Sequence, residues 1–164
     1  MHFIRVRSLV VGLVTTFALF AVPATAAADI TAFLGLGTKP ATRAARGLAF
    51  GVTLLVVGFE GEYSDVSEDA ADNAPHLRTG MINAIVQTPT KGAQVYATAG
   101  AGVYRESFRN GPQETNTGLN IGGGVKLGLI GPLKLRLDYR VFKFRGDALH
   151  KTVQRVYVGL NAGL

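Results

Sequence analysis

A strict alternation of apolar and charged residues between Leu133 and Arg145 constrains the fold more than any other feature of this chain. From Leu133 to Val141, every second residue is apolar or aromatic. The charged residues that lie between them are Lys134, Arg136, Asp138 and Arg140. Because successive side chains of a strand point to opposite faces, this period of two predicts a β-strand with one apolar and one charged face.

The same period recurs in seven other stretches, and it predicts an all-β chain of eight strands. The eight predicted strands are 30–36, 46–53, 57–64, 78–87, 94–104, 118–129, 133–145 and 155–164. An even number of alternating strands favours an antiparallel up-and-down barrel. Beyond the first 28 residues, no apolar run approaches the roughly 18 to 20 residues of a membrane-spanning helix.

The predicted connections alternate between long polar loops and short turns. Long loops are expected at 37–46, 64–76, 106–116 and 146–152, and short turns at 53–55, 88–92 and 130–132. Membrane barrels show this asymmetry, with short periplasmic turns and longer outer loops. The alternation changes phase near Phe142, so Phe142 and Phe144 are expected to mark a bulge or an aromatic ring at the membrane interface.

The first 28 residues are typical of a secretory signal peptide. Arg5 and Arg7 precede an apolar run from Leu9 to Phe20, and small residues with an A-x-A pattern follow at 24–28. We expect cleavage of residues 1–28, with 29–164 forming the barrel domain; an uncleaved membrane anchor is the alternative. Removal of Arg5 and Arg7 takes the formal net charge from +6 to +4.

Composition and motif context argue against several other classes of protein. The basic residues are scattered along the strands, and an exported chain with that pattern is not expected to bind nucleic acid. The glycines of 118–129 lie within an alternating strand, so they lack the strand–turn–helix context of a nucleotide-binding loop. The carboxylates of 64–76 lack the spacing of a calcium loop. We therefore expect neither a cofactor nor a metal ion.

The glycines also indicate which face of the barrel points inward. They crowd the polar face of the fifth and sixth strands, where a row of glycines facing water would only weaken the sheet. Inside a narrow barrel, small residues make room for long ones. The absence of cysteine in a small exported domain is compatible with a closed barrel, whose backbone groups are all paired. The predicted fold is thus an eight-stranded antiparallel up-and-down transmembrane β-barrel.

The signal peptide, the eight alternating strands and the terminal VYVGLNAGL resemble the small outer-membrane β-barrel proteins of Gram-negative bacteria, the porin-like β-barrel family. The resemblance implies an outer-membrane location, a bilayer environment and a structural or surface-interaction role without catalysis. It also implies recognition of the C-terminal strand by the barrel-insertion machinery, and we expect a monomer. That family usually ends in an aromatic residue, whereas this chain ends in Leu164.

An inward polar face would carry eight charged residues, which are the candidate site of this protein. They are Glu60, Glu62, Lys126, Lys134, Arg136, Asp138, Arg140 and Arg155. Isolated charges in a narrow interior are very costly, so we expect an ion-pair network in which Glu60 and Glu62 reach bases on the sixth to eighth strands. The functional alternative is a narrow pore whose excess of positive charge favours anions.

Two further functions stay open at this level. A soluble periplasmic barrel of the lipocalin type would turn the apolar face inward around a small apolar ligand. Some small outer-membrane barrels hydrolyse lipids with a serine–histidine pair, and this chain has candidates near its loops: His76, His150, Ser64, Ser67 and Ser107. No serine lies in a G-x-S-x-G context.

Overall fold

A computed structural model describes residues 26–39, 41–69, 71–72, 74–90, 92–107, 113–146, 148 and 150–164. These residues form eight strands: β1 (Ala26–Lys39), β2 (Arg43–Leu54), β3 (Val57–Val66), β4 (His76–Gln87), β5 (Ala93–Ser107), β6 (Gln113–Gly128), β7 (Leu133–Phe144) and β8 (Thr152–Gly163). Each strand pairs antiparallel with the next, and β1 pairs with β8, so the sheet closes into a barrel. The predicted eight-stranded antiparallel barrel is confirmed. Most of the predicted signal peptide lies outside the described residues.

The closing seam between β1 and β8 runs from the pair Asp29 and Gly163 to the pair Gly37 and Arg155. A register shift follows between Gly37 and Lys39. Beyond the seam, the backbone N–H of Leu164 donates to the carbonyl of Ala28 at 2.8 Å. No helix among the described residues is long and apolar enough to cross a membrane.

The apolar face of the strands points outward. Ile82, Phe59 and Ile121 expose 72%, 66% and 65% of their surface, whereas the charged residues Glu60 and Arg136 expose 1% and 0%. The barrel is therefore inverted relative to a water-soluble protein, in which large apolar side chains are mostly inside. An environment that accepts an apolar exterior and a polar interior is a lipid bilayer.

The strands extend further toward the long loops than the sequence predicted. Only residues 40–42 separate β1 from β2, and only 108–112 separate β5 from β6, so the long loops expected at 37–46 and 106–116 are wrong. On the opposite rim, the turn between β2 and β3 is Leu55–Val56, with Leu55 at φ 56°. The loops at 67–75 and 145–151 remain the longest connections.

The sequence pattern does not predict these strand ends because the two faces exchange polarity near the loop end. Above the apolar belt, outward positions carry Arg46, Arg78 and Arg105, which are exposed. Inward positions there include apolar residues that pack together, and we call this cluster the apolar cap. Its members are Ala45, Val66, Leu77, Met81, Tyr104, Phe142, Phe144, Ala148 and Val153.

The apolar cap corrects the expectation for Phe142 and Phe144. Their strand continues without a change of phase, and both side chains point inward with 2% and 3% exposure. The Phe144 ring stacks on Tyr104 with centroids 4.1 Å apart. The Tyr104 hydroxyl donates to the carbonyl of Arg145 at 2.7 Å, which ties the cap to the β7–β8 loop. Neither phenylalanine marks a bulge or a membrane-interface ring.

Glycine provides the room that the large interior side chains need. A Cβ at Gly124 would lie 2.0 Å from the Leu137 carbonyl oxygen and 2.6 Å from the Tyr96 hydroxyl. A Cβ at Gly100 would lie 2.1 Å from Asn83 Oδ1. These distances are too short for any side chain, so the predicted packing role of the glycines on β5 and β6 agrees with the structure.

Candidate functional site in the lumen and at the outer rim

Six of the eight predicted residues meet in the middle of the lumen, and we call them the ion network. It consists of three carboxylates and three guanidinium groups: Glu60, Glu62, Asp138, Arg136, Arg140 and Arg155. The carboxylates come from β3 and β7, and the arginines from β7 and β8. Residues that alternate along β7 put three of these charges on one inward face, as the sequence pattern predicts.

Arg140 is the centre of the ion network, because it contacts all three carboxylates. Its Nε donates to Asp138 Oδ1 at 3.0 Å, and its Nη2 donates to Glu60 Oε1 at 2.7 Å. Its Nη1 lies 2.9 Å from Glu62 Oε2. On one side Arg136 pairs with Glu60 and with Asp138, the latter at 3.2 Å, and on the other Arg155 pairs with Glu62.

Polar neighbours add hydrogen bonds to part of the ion network, around Arg136, Asp138 and Glu60. The Arg136 Nε donates to the Tyr96 hydroxyl at 2.8 Å, and that hydroxyl donates in turn to Asp138. Asn120 Nδ2 donates to Asn83 Oδ1 at 2.8 Å, and Asn83 Nδ2 donates to Glu60 at 3.5 Å. Buried charges are tolerated when they are paired and hydrogen-bonded in this way.

Arg155 lies where the ion network meets the apolar cap. Its guanidinium carbon is 4.9 Å from the ring centres of Phe33 and Phe142, and 5.1 Å from that of Tyr157. The Phe33 and Tyr157 rings stack with centroids 4.1 Å apart. Arg155 Nε and Nη1 find no hydrogen-bond partner among the described residues. Contact with aromatic faces therefore takes the place of hydrogen bonds on that side of the guanidinium.

The two lysines of the predicted set lie apart from the ion network, near the short-turn end of the barrel. Lys126 Nζ is 2.8 Å from Asp29 Oδ2, and Lys134 Nζ donates to Gln94 Oε1 at 2.6 Å. The period-two pattern does not include Asp29 among the inward charges, because the predicted first strand begins at residue 30. Its parity with the inward residues Thr31 and Phe33 is the signal that identifies it.

The positive excess expected for a pore is absent from the ion network, whose three arginines balance three carboxylates. Among the predicted eight and Asp29, five bases face four acids, and the remaining positive charge is on Lys134 at the mouth. The buried Arg43 and Glu106, near the loop end, add one charge of each sign. All six side chains of the network have 0–2% exposure. Side chains that lined a water-filled channel would be exposed to that water.

A second polar cluster lies outside the barrel at the loop end and is centred on Asp65. Its carboxylate is 3.0 Å from His76 Nε2, 3.3 Å from Arg78 Nε and 3.7 Å from Arg46 Nε. All four residues occupy outward strand positions. His76 is directly opposite Ser107 in the β4–β5 register.

The other candidate serines are not placed to act with His76. Ser64 faces the lumen, where its hydroxyl is 2.7 Å from that of Thr79, and Ser67 donates to the carbonyl of Ala44 at 3.3 Å. His150 is half-buried in the last loop. In the 67–75 loop, Asp69 Oδ1 accepts from the backbone N–H of Ala71 at 3.0 Å. No group of three or more potential metal-binding side chains occurs among the described residues.

Comparison with known proteins identifies the architecture. No protein-family profile matches the sequence, and no curated protein matches it significantly. The N-terminal β-barrel domain of Pseudomonas aeruginosa OprF superposes with a TM-score of 0.67 at 19% identity, covering 84% of this chain and 97% of that one. Neisserial surface protein A, NspA, gives 0.65 at 17%, with 84% and 94% covered.

The outer membrane enzyme PagL is also similar, with a TM-score of 0.53, 14% identity, and 82% of this chain and 98% of that chain covered. These likenesses extend over the whole barrel and concern its architecture. They confirm the resemblance drawn from the sequence. The chain therefore has the closed eight-stranded β-barrel fold found in small outer-membrane proteins.

Proposed function

We propose that this protein is an outer-membrane β-barrel with a structural or surface-interaction role and a closed interior. The observation that carries the proposal is the inverted polarity of the barrel. Ile82, Phe59 and Ile121 are more than 60% exposed, while the six charges of the ion network are buried. In water, an apolar exterior of this extent favours aggregation, whereas in a bilayer it is the surface that lipid requires.

The ion network then has a structural function. It ties β3 to β7 and β8 across the lumen, and the apolar cap covers it on the loop side. A barrel of eight strands has an interior that side chains fill, and here both charged and aromatic side chains fill it. Contact with other molecules is therefore left to the loops and the outer rim, chiefly the 67–75 and 145–151 connections.

Export and assembly belong to the same proposal. Residues 1–28 are removed as a signal peptide, the barrel-insertion machinery reads the C-terminal strand, and the mature chain is a monomer. The A-x-A pattern also fits cleavage after Ala26, through Ala24-Thr25-Ala26. Because β1 begins at Ala26, that cleavage would retain more of β1 than cleavage after Ala28. N-terminal sequencing of the exported protein distinguishes the two sites.

Cell fractionation followed by gel electrophoresis tests the proposal directly. We expect the protein in the outer-membrane fraction, with an unboiled band that migrates differently from the boiled band, because a closed barrel resists unfolding in detergent. In planar bilayers we expect no conductance steps. A soluble periplasmic product would instead support the lipocalin-like alternative, and stable conductance steps would contradict the closed interior.

Ester hydrolysis is a second candidate function, and one observation favours it. His76 lies 3.0 Å from Asp65 and opposite Ser107, so an acid, a base and a hydroxyl share one patch of the outer rim. Among the described residues, however, no hydrogen bond joins His76 to Ser107, and a serine nucleophile requires one during catalysis. Our main proposal is non-enzymatic.

An assay of fatty-acid release from outer-membrane lipids separates the two functions. We expect no release by the purified protein above the rate of the Ser107→Ala and His76→Ala variants. Release that disappears in both variants, and persists in a His150→Ala control, would establish hydrolysis at this rim.

A further inference from the structure

Three arginines form a lateral row around the outer surface of the barrel, and we call them the arginine row: Arg46, Arg78 and Arg105. The strand registers place Arg46 opposite Asp65, Asp65 opposite Arg78, and Arg78 opposite Arg105. The row thus crosses four consecutive strands, β2 to β5, through directly paired positions. Next in line, Thr115 of β6 is opposite Arg105.

The charges of the arginine row are only partly compensated within the protein. The Asp65 carboxylate forms ion pairs with Arg46 and Arg78, whose side chains are 75% and 51% exposed. Arg105 Nε donates to the Thr115 hydroxyl at 3.1 Å, and no carboxylate of the described residues forms an ion pair with it. Two arginines directly opposite each other, Arg78 and Arg105, destabilise a sheet unless an anion lies between them.

The level of the row matches that of lipid headgroups. On β5, Arg105 lies ten residue steps beyond Val95. At about 3.3 Å per step, with a strand tilt of about 40°, the rise along the barrel axis is roughly 25 Å. The outward residues in between are Ala97, Ala99, Ala101 and Val103, all apolar. The apolar belt of a membrane barrel has about the same height, so Arg105 and the directly paired Arg78 lie at its outer edge.

An apolar groove of about 340 Å³ begins beneath the row, between Arg78 and Arg105. Tyr63, Val103 and Gly80 line it. A Cβ at Gly80 would approach only Val103, at 3.9 Å, and a Cβ at the outward Gly61 would have nothing within 4 Å. The surface below the arginines is therefore recessed, with room for a chain of methylene groups.

We propose that Arg78 and Arg105, with the Thr115 hydroxyl, bind the phosphate of a phosphorylated lipid of the outer leaflet, and that the groove at Gly80 receives one of its acyl chains. Guanidinium groups match phosphate oxygens with paired, charge-assisted hydrogen bonds. A phosphate between the two arginines also removes their mutual repulsion. The inference rests on the proposed membrane location.

Lipid-binding measurements test this site in the full-length protein purified from outer membranes. The protein is reconstituted in phosphatidylcholine nanodiscs that contain either bisphosphorylated lipid A or its phosphate-free form, and adducts are counted by native mass spectrometry. We expect the phosphorylated lipid to be preferred about tenfold, and the preference to disappear in an Arg78→Gln/Arg105→Gln double variant. The charge-matched control is Lys143→Gln/Lys151→Gln, two exposed bases outside the row, and it should retain the preference.

Other outcomes overturn the proposal. Equal binding of the two lipids, or a preference that survives the arginine double variant, excludes a phosphate site at the row. If inorganic phosphate alone abolishes the preference, the site binds a free ion and not a lipid. A Gly80→Leu variant keeps both arginines and fills the groove, so unchanged lipid affinity in this variant excludes the acyl-chain position. Heat-modifiable migration of every variant checks folding, and outer-membrane fractionation tests the membrane location separately.

Discussion

A Glu60→Gln/Glu62→Gln double variant is expected to lose about 3–5 kcal/mol of its free energy of unfolding, because removing one side of a buried ion pair leaves the other charge uncompensated. The change leaves Arg136, Arg140 and Arg155 with Asp138 as the remaining carboxylate of the ion network. Urea unfolding in detergent micelles measures the loss. The chain contains five tyrosines and no tryptophan, so tyrosine fluorescence or the heat-modified gel band reports the folded fraction.

The matched control for this experiment is Glu68→Gln/Glu114→Gln, which removes the same charge outside the ion network. Glu114 is exposed and Glu68 is half-buried in a loop. We expect the control to change the free energy of unfolding by no more than about 0.5 kcal/mol. An unfolding midpoint for the Glu60→Gln/Glu62→Gln variant that equals the control's would contradict a stabilising role of the network.

An Ile121→Arg substitution is expected to destabilise the barrel in a bilayer by about 2–4 kcal/mol, the range for a basic residue facing lipid near the midplane. Ile121 is 65% exposed and lies in the middle of β6. On the same face of the same strand, Thr117→Arg is nearer the outer edge of the belt, where the expected loss is about 0–1 kcal/mol. Unfolding from phospholipid vesicles measures both variants.

The Ile121→Arg and Thr117→Arg variants also distinguish a transmembrane barrel from a water-soluble one. In a water-soluble barrel with the same outward positions, a charge at Ile121 would meet solvent, and both variants would change the stability by no more than about 0.5 kcal/mol. Equal, small effects at the two positions would thus refute the transmembrane interpretation. A large loss at Ile121 alone is the depth dependence that a bilayer imposes.

Period-two alternation was sufficient to predict the number of strands, their antiparallel order and the inward face. The interior charges follow from the same parity, since Arg136, Asp138 and Arg140 share one face of β7. Their individual partners could not be predicted. Which residue of β3 meets which residue of β7 across the lumen depends on strand tilt and stagger, and these are properties of the closed barrel.

The strand ends at the loop side were missed for a different reason. The rule that apolar residues face outward holds only within the apolar belt. Above it Phe142, Phe144 and Val153 point inward while Arg78 and Arg105 point outward, so a correct strand looks like a loop or a bulge. The exchange of polarity itself is visible in the sequence, and it marks the outer edge of the apolar belt.

The apolar cap has a consequence for the cell as well as for the barrel. Tyr104, Phe142 and Phe144 pack together above six buried charges, and this packing supports the closed interior that we propose. In the closed barrel that we propose, each additional copy adds surface to the cell envelope without adding a route across it for small solutes.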